Sequence, residues 1–353
     1  NSVSGNTVLG EDALDAAVSG GNNTAIGNAA LGACTEGHSN TAMGQGAAEN
    51  ITTGDHNVAI GRNSLGSQTT ADNNVAIGQS ALFANTTGSA NVALGTSALG
   101  ANTTASNCTA VGASALAANT TASGNSAFGH QALTANTTGT GNIGVGKNSL
   151  LSNTTGSSNV AVGQNSLDAN TTADNNTALG HEALGANTTG TNNVAVGAQA
   201  LDANTTASFN TAVGQNSLGV TTTGHSNTAI GQGSSENITT GNHNTAVGRN
   251  SLGSQTTASN CIAIGQSALF ANTTGENNTA VGAYALDANT TAASNTAVGQ
   301  SALTSNTTGA TNTAVGQSAG HNITTGSNNL MLGYNAGTSA APSGSITTGS
   351  NNV

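Results

Sequence analysis

Asn74-Val75-Ala76-Ile77-Gly78-Gln79-Ser80-Ala81-Leu82-Phe83-Ala84-Asn85-Thr86-Thr87-Gly88 is one copy of a unit whose central glycine returns every 17 residues. Glycine holds that register at twenty positions from Gly10 to Gly333, among them Gly27, Gly44, Gly61, Gly78, Gly95, Gly180, Gly265 and Gly316. With this glycine as phase 0, the unit reads Asn(−4), Thr/Val(−3), Ala(−2), aliphatic(−1), Gly, Gln(+1), x, Ala/Ser(+3), Leu(+4), x, Ala, Asn(+7), Thr, Thr, Gly/Ala(+10). A fixed period this short marks a solenoid, in which each unit is too small to bury a core alone and stacks on its neighbours. β-branched residues beside Gly, Asn and Thr-Thr-Gly corners favour short strands over helices. The expected fold is therefore all-β: a parallel β-solenoid of about twenty 17-residue turns, with residues 1–333 as one continuous array. Residues 334–353 form a final turn with an insertion around Pro342.

Alternation along the first strand sets phases −3 and −1 on one face and Ala(−2) on the other. Phase −1 is always Leu, Ile, Met, Val or Phe. It is expected to form the inner stripe, with Ile26, Ile60, Ile77, Val162 and Ile264 as core and Leu82 joining them from a second strand near +3 to +4. Asn fills phase −4 in eighteen turns, including Asn23, Asn40, Asn57, Asn74, Asn244 and Asn312, and the two exceptions are Cys108 and Cys261. A stacked ladder of side-chain amides, bonded turn to turn, is expected there. The repeated glycine marks a corner that needs positive φ or close backbone approach. Phase +4 is Leu in sixteen turns and becomes Ala48, Ser235, Gly320 and Gly337 in the rest; three of these turns carry Ile51, Ile238 and Ile323 at phase +7. Volume lost at one wall and restored at another implies that both phases face a common interior. The fourth carries Ile346 six residues late, as the insertion requires.

Composition limits the function classes. The chain has no Trp, 4 Phe, 2 Tyr and 49 Gly in 353 residues, with 5% charged residues. A large conventional core is therefore not expected. Three basic residues, Arg62, Lys147 and Arg249, face 14 acids, so no phosphate-binding surface can form and nucleic acid is not an expected partner. No run approaches the roughly 18 apolar residues of a membrane span. The first residue is Asn, so the chain reads as a processed or partial product. Interiors built mainly from small residues leave each turn short of apolar burial. A second apolar face, the Ala and Leu of the second strand, is expected to pack against further copies, three parallel chains about a fibre axis.

Asn-Asn-Val-Ala-Ile-Gly at 73–78 and Asn-Thr-Ala-Val-Gly at 244–248, 295–299 and 312–316 resemble the head repeats of trimeric autotransporter adhesins. That resemblance implies a left-handed parallel β-roll trimer. The longer unit at 78–88, with Asn-Ile-Thr-Thr-Gly-Ser-Asn-Asn at 322–329, is similar to bacteriophage tail-fibre repeats. Such fibres often end in a self-cleaving chaperone of the endosialidase type, and the tail after Gly333 resembles the segment just ahead of it. Seventeen residues per turn departs from the shorter autotransporter repeat.

Candidate sites each have a simpler structural reading. The seven histidines, 38, 56, 130, 181, 225, 243 and 321, occupy different phases, none in a His-x-His pair. Asp168, Asp202 and Asp287 share phase +5 but lie turns apart, so no acid/base pair is expected. Cys34, Cys108 and Cys261 lack metal-site or disulfide spacing and read as small buried fillers. No residue set suits a metal or cofactor. Asn-Thr-Thr at phase +7 is a formal glycosylation acceptor that also suits a turn. Rows of Thr suggest ice binding, although Thr at +8 and +9 would face opposite ways on a strand. Gln45, Gln79, Gln164, Gln215, Gln266, Gln300, His130, Lys147 and Arg249 line phase +1 as an outer polar stripe, with weak glycan contact as the functional alternative. The expectation is a non-enzymatic, extracellular fibre protein: a homotrimeric phage tail-fibre shaft holding a receptor- or glycan-binding tip that lies outside this segment. A head segment of a trimeric bacterial surface adhesin stands second and an ice-binding solenoid third. The receptor-binding residues are not legible.

Overall fold

Every 17 residues the backbone extends for only three, at phases −3 to −1, and then curls. In the computed structural model, which describes residues 5–338 and 347–352, this gives twenty strands from Thr7–Leu9 to Leu330–Leu332. They fall in two compact units, Asn1–Asn175 and Asn176–Val353. Within each unit neighbouring strands pair in parallel with a 17-residue step: Val58, Ala59 and Ile60 oppose Val75, Ala76 and Ile77, and Thr228, Ala229 and Ile230 oppose Thr245, Ala246 and Val247. Each unit is thus a parallel β-solenoid, all-β and without helix among the described residues.

The expected second strand is absent among the described residues, and backbone dihedrals give the reason. After Gly78 (φ +133), Ser80 and Leu82 are left-handed at φ +55 and +49, and Ala90 adds a third such residue at φ +57. Left-handed residues turn the chain instead of extending it, and Ala81 N and Asn85 N bond back to Gly78 O and Leu82 O within the turn. The ladder between turns continues without a strand, since Leu82 N still donates to Ala98 O at 3.0 Å and Thr86 N to Thr103 O at 2.9 Å. A left-handed Leu costs about 1–2 kcal/mol. Complete burial of Leu82 returns about 1.5–3 kcal/mol, so the strained conformer persists because the side chain is enclosed.

The core also lies on the face opposite to the expected one. Ile26, Ile60, Ile77 and Val162 are only half-buried and Ile264 is 39% exposed, whereas Ala76, Ala81, Leu82, Asn74 and Asn85 are sealed off. Of the residues expected in the core, Leu82 alone belongs there. The interior is narrow at the strand wall, which faces the Leu(+4) row. At Gly144, the one phase −2 glycine, an added Cβ would come within 3.5 Å of Leu133 Cδ1 and 2.9 Å of Ser149 Oγ. Only a small side chain fits on that side, so the larger aliphatics at −3 and −1 point outward. The Ala(+3) and Leu(+4) rows lie inside the chain and are not its surface toward other copies.

Volume is exchanged across this interior. Ala48 and Ser235 are 1% exposed, and Ile51, Ile238 and Ile323 fill the space opposite at 0%. Pro342 and Ile346 lie outside the described residues, but the ladder resumes after them with a 23-residue step, as Thr324 N donates to Thr347 O at 2.9 Å. The phase-0 glycines combine two constraints. Gly180 has φ +143, and a Cβ there would lie 2.5 Å from the carbonyl oxygen of Gly197 in the next turn.

Candidate functional surfaces

Three columns of polar groups knit each unit along its axis. At phase −4, Asn74 N donates to Asn57 Oδ1 at 2.9 Å, and Asn74 Nδ2 donates to Gly88 O at 2.9 Å. These side chains thus bond mainly to backbone. Amides also bond to amides turn to turn in part of this column, as Asn57 Nδ2 donates to Asn40 Oδ1 and Asn244 Nδ2 to Asn227 Oδ1, each at 3.1 Å. A second amide-to-amide ladder lies at phase +7, where Asn102 Nδ2 donates to Asn85 Oδ1 at 2.8 Å and Asn153 Nδ2 to Asn136 Oδ1 at 2.9 Å. A third column, missed in the sequence, is phase +11: Asp55 Oδ1 accepts from His38 N at 2.6 Å, Ser106 Oγ from Ser89 N and Ser208 Oγ from Thr191 N, each at 3.0 Å. Its signal was available, since Asp, Ser, Thr and Asn crowd that phase and short acceptors suit a bond to nearby backbone.

Cys108 and Cys261 interrupt the first column and imitate it in part. Each Sγ reaches a carbonyl, Ala122 O and Gly275 O respectively, at 3.3 Å. Toward the following turn the sulfur replaces Oδ1 with a weaker acceptor for the backbone N–H of Asn125 and of Asn278 respectively. Burial pushes the Cys261 thiol up to about 11 and raises those of Cys34 and Cys108. All three are buried and free of disulfides, with little thiolate to react.

Remaining candidates are dispersed over the surface. Six histidines are exposed and His321 is half-buried; only His225 and His243 stack, edge to face with centroids 5.2 Å apart. Among the described residues no group of three or more His, Cys, Asp or Glu is placed to hold a metal ion. Burial raises the Asp287 carboxyl, and no second acid stands beside it on phase +5 within its own turn. The phase +1 residues, Gln45 through Gln300 with His130, Lys147 and Arg249, are all exposed. In the Asn-Thr-Thr units the Asn amide lies in the sealed interior, where no glycan could be attached to the folded chain. Thr103, half-buried, donates its Oγ1 to Thr120 O at 3.1 Å, while Thr104 is exposed. The pair occupies a bend and not a strand, so a single Thr column faces solvent.

What the fold does present is its sheet face. Phases −3 and −1 stand outward in every turn, with Leu94 44% exposed, Ile143 41%, Leu179 47% and Ile230 41%. Parallel strands set these residues about 4.8 Å apart along the axis, in two rows of Thr or Val beside Val, Ile or Leu. No helix is long and apolar enough to cross a membrane among the described residues. Compared with known proteins, the chain matches no protein-family model and no curated protein sequence.

Proposed function

We propose that this chain is a structural fibre protein whose copies assemble through the sheet face, and that it serves as the shaft of a bacteriophage tail fibre outside the cell. One observation carries the assembly reading: a regular, largely apolar face is left open while the chain's interior is complete without it. Side chains at both phases are half-buried or exposed in every turn, so the two rows run uncovered along the ten strands of each unit. A specific interface buries about 800 Å² per partner, and monomers seldom leave a long contiguous apolar patch open. Three parallel copies, each turning this face toward a common axis, cover it with like residues at like heights. The polar columns then supply rigidity along the shaft, and no catalytic role is assigned. The tail-fibre identity rests on the sequence resemblance, with a trimeric bacterial adhesin second.

Charge placed on the face tests the assembly. Leu94→Lys combined with Leu179→Lys should yield folded monomer by light scattering, with the β spectrum retained, whereas an unchanged mass would refute the role of the face. The run of Thr at −3, Thr211, Thr228 and Thr245, favours ice binding as the third reading. That reading predicts a folded wild-type monomer with measurable thermal hysteresis.

A further inference from the structure

Phase +12 holds a left-handed residue in turn after turn, and the residue types follow from it: Asn73, Asn107, Asn192, Ser226 and Asn260 all sit near φ +60. Asn accepts this region readily and larger side chains do not. Phe209 departs from these small residues, as His56 and His243 do at φ +57 and +56, and is the bulkiest of the three. It stands at φ +63 with 62% of its surface exposed, so burial does not offset the strain as it does for the interior leucines. An exposed residue held in an unfavourable conformation, without a packing gain, points to a role beyond folding.

Its surroundings fit a small polar ligand. Phe209 and His225 border a surface groove of about 360 Å³, lined also by Thr206, Ala207, Ser208 and Thr223. One turn further, His243 meets His225 edge to face at 5.2 Å, extending the line of rings. The described lining contains no carboxylate, Lys or Arg, which disfavours phosphates and other charged ligands. An aromatic face carries negative charge density and attracts the weakly positive C–H groups of an apolar ring face, while hydroxyls and imidazole exchange hydrogen bonds with groups around the rim.

We propose that this groove binds a neutral pyranose, its C–H face stacked on Phe209 and its hydroxyls bonded to Thr206, Thr223 and His225. None of these residues lies at phases −3 or −1, so the site is independent of the assembly face. Saturation-transfer NMR on the full chain tests it, using methyl β-glucopyranoside, methyl β-galactopyranoside and cellohexaose as neutral probes and glucose 6-phosphate as the anionic control. At least one neutral probe should receive saturation at its ring protons, and tighter binding of cellohexaose would identify a polysaccharide as the source. Phe209→Asn, the commonest residue at this phase, should weaken binding by about tenfold without lowering the melting temperature; Phe209→Tyr should retain binding. The proposal is overturned if no neutral probe is saturated at millimolar concentration, if glucose 6-phosphate is preferred, or if Phe209→Asn and Thr223→Val both bind as the wild type does.

Discussion

Replacing Gly180 by Ala separates the two constraints on the repeated glycine. At φ +143 an L-residue is confined to a region that is almost glycine-only, at a cost on the order of 1–3 kcal/mol. The added Cβ would also lie 2.5 Å from Gly197 O, 2.6 Å from Gly197 C and 3.0 Å from Ala198 N. These are backbone atoms, so relief requires the next turn to move, which disrupts the 2.8 Å bond from Gly197 N to Leu179 O, worth roughly 1 kcal/mol net. A total of about 3–5 kcal/mol follows. Gly124→Ala is the control: its φ is +73 and nothing lies within 4 Å of the new Cβ, leaving only left-handed strain of about 1–2 kcal/mol. Gln164→Ala, on the exposed stripe, should stay within about 0.5 kcal/mol. Chemical denaturation followed by circular dichroism gives the order. Equal midpoints for Gly180→Ala and Gly124→Ala would refute the close approach of successive turns.

Leu82→Ala should cost about 2–5 kcal/mol in the same assay, while Ile77→Ala, on the outer face, should cost clearly less in a chain kept dilute. Cys108→Asn puts a carbonyl oxygen in place of a weak sulfur acceptor in the phase −4 column and should raise stability by about 1 kcal/mol, read as a higher denaturation midpoint. Stability should also fall at alkaline pH through Cys261: burial pushes its folded pKa up to about 11, above the ordinary thiol range, so the unfolded thiol ionises first. The contribution is intact below pH 9 and is lost between pH 9 and 11, an effect of about 2–3 kcal/mol that Cys261→Ala should remove. Chelator should leave melting unchanged, and a lower melting temperature in EDTA would point to a metal site.

Spacing alone revealed the architecture, since a glycine returning every 17 residues permits little besides stacked turns. Choosing the inner face required a subtler cue. Ile, Leu and Val at phase −1 are more hydrophobic than Ala at −2, and hydrophobicity pointed to the wrong side. Variation in volume pointed to the right one: phase −1 accepts Val111, Met43 and Phe128 in different turns, which an enclosed wall could not, while phase −2 is almost always Ala. The left-handed positions were half legible. Asn and Ser at +2 and +12 are types that tolerate positive φ, but nothing in a Leu at +4 announces it, because its strain is offset by a burial that exists only once the turn has closed. Phe209 was invisible as a site for a related reason: its oddity is its backbone conformation, which the sequence does not display.

Sedimentation equilibrium on the intact chain at low micromolar concentration tests the central claim most directly, that the complete interior of one chain leaves an apolar sheet face for other copies. The account predicts a single folded species of three times the 33.6 kDa chain mass. A stable, folded 33.6 kDa monomer at that concentration would contradict it.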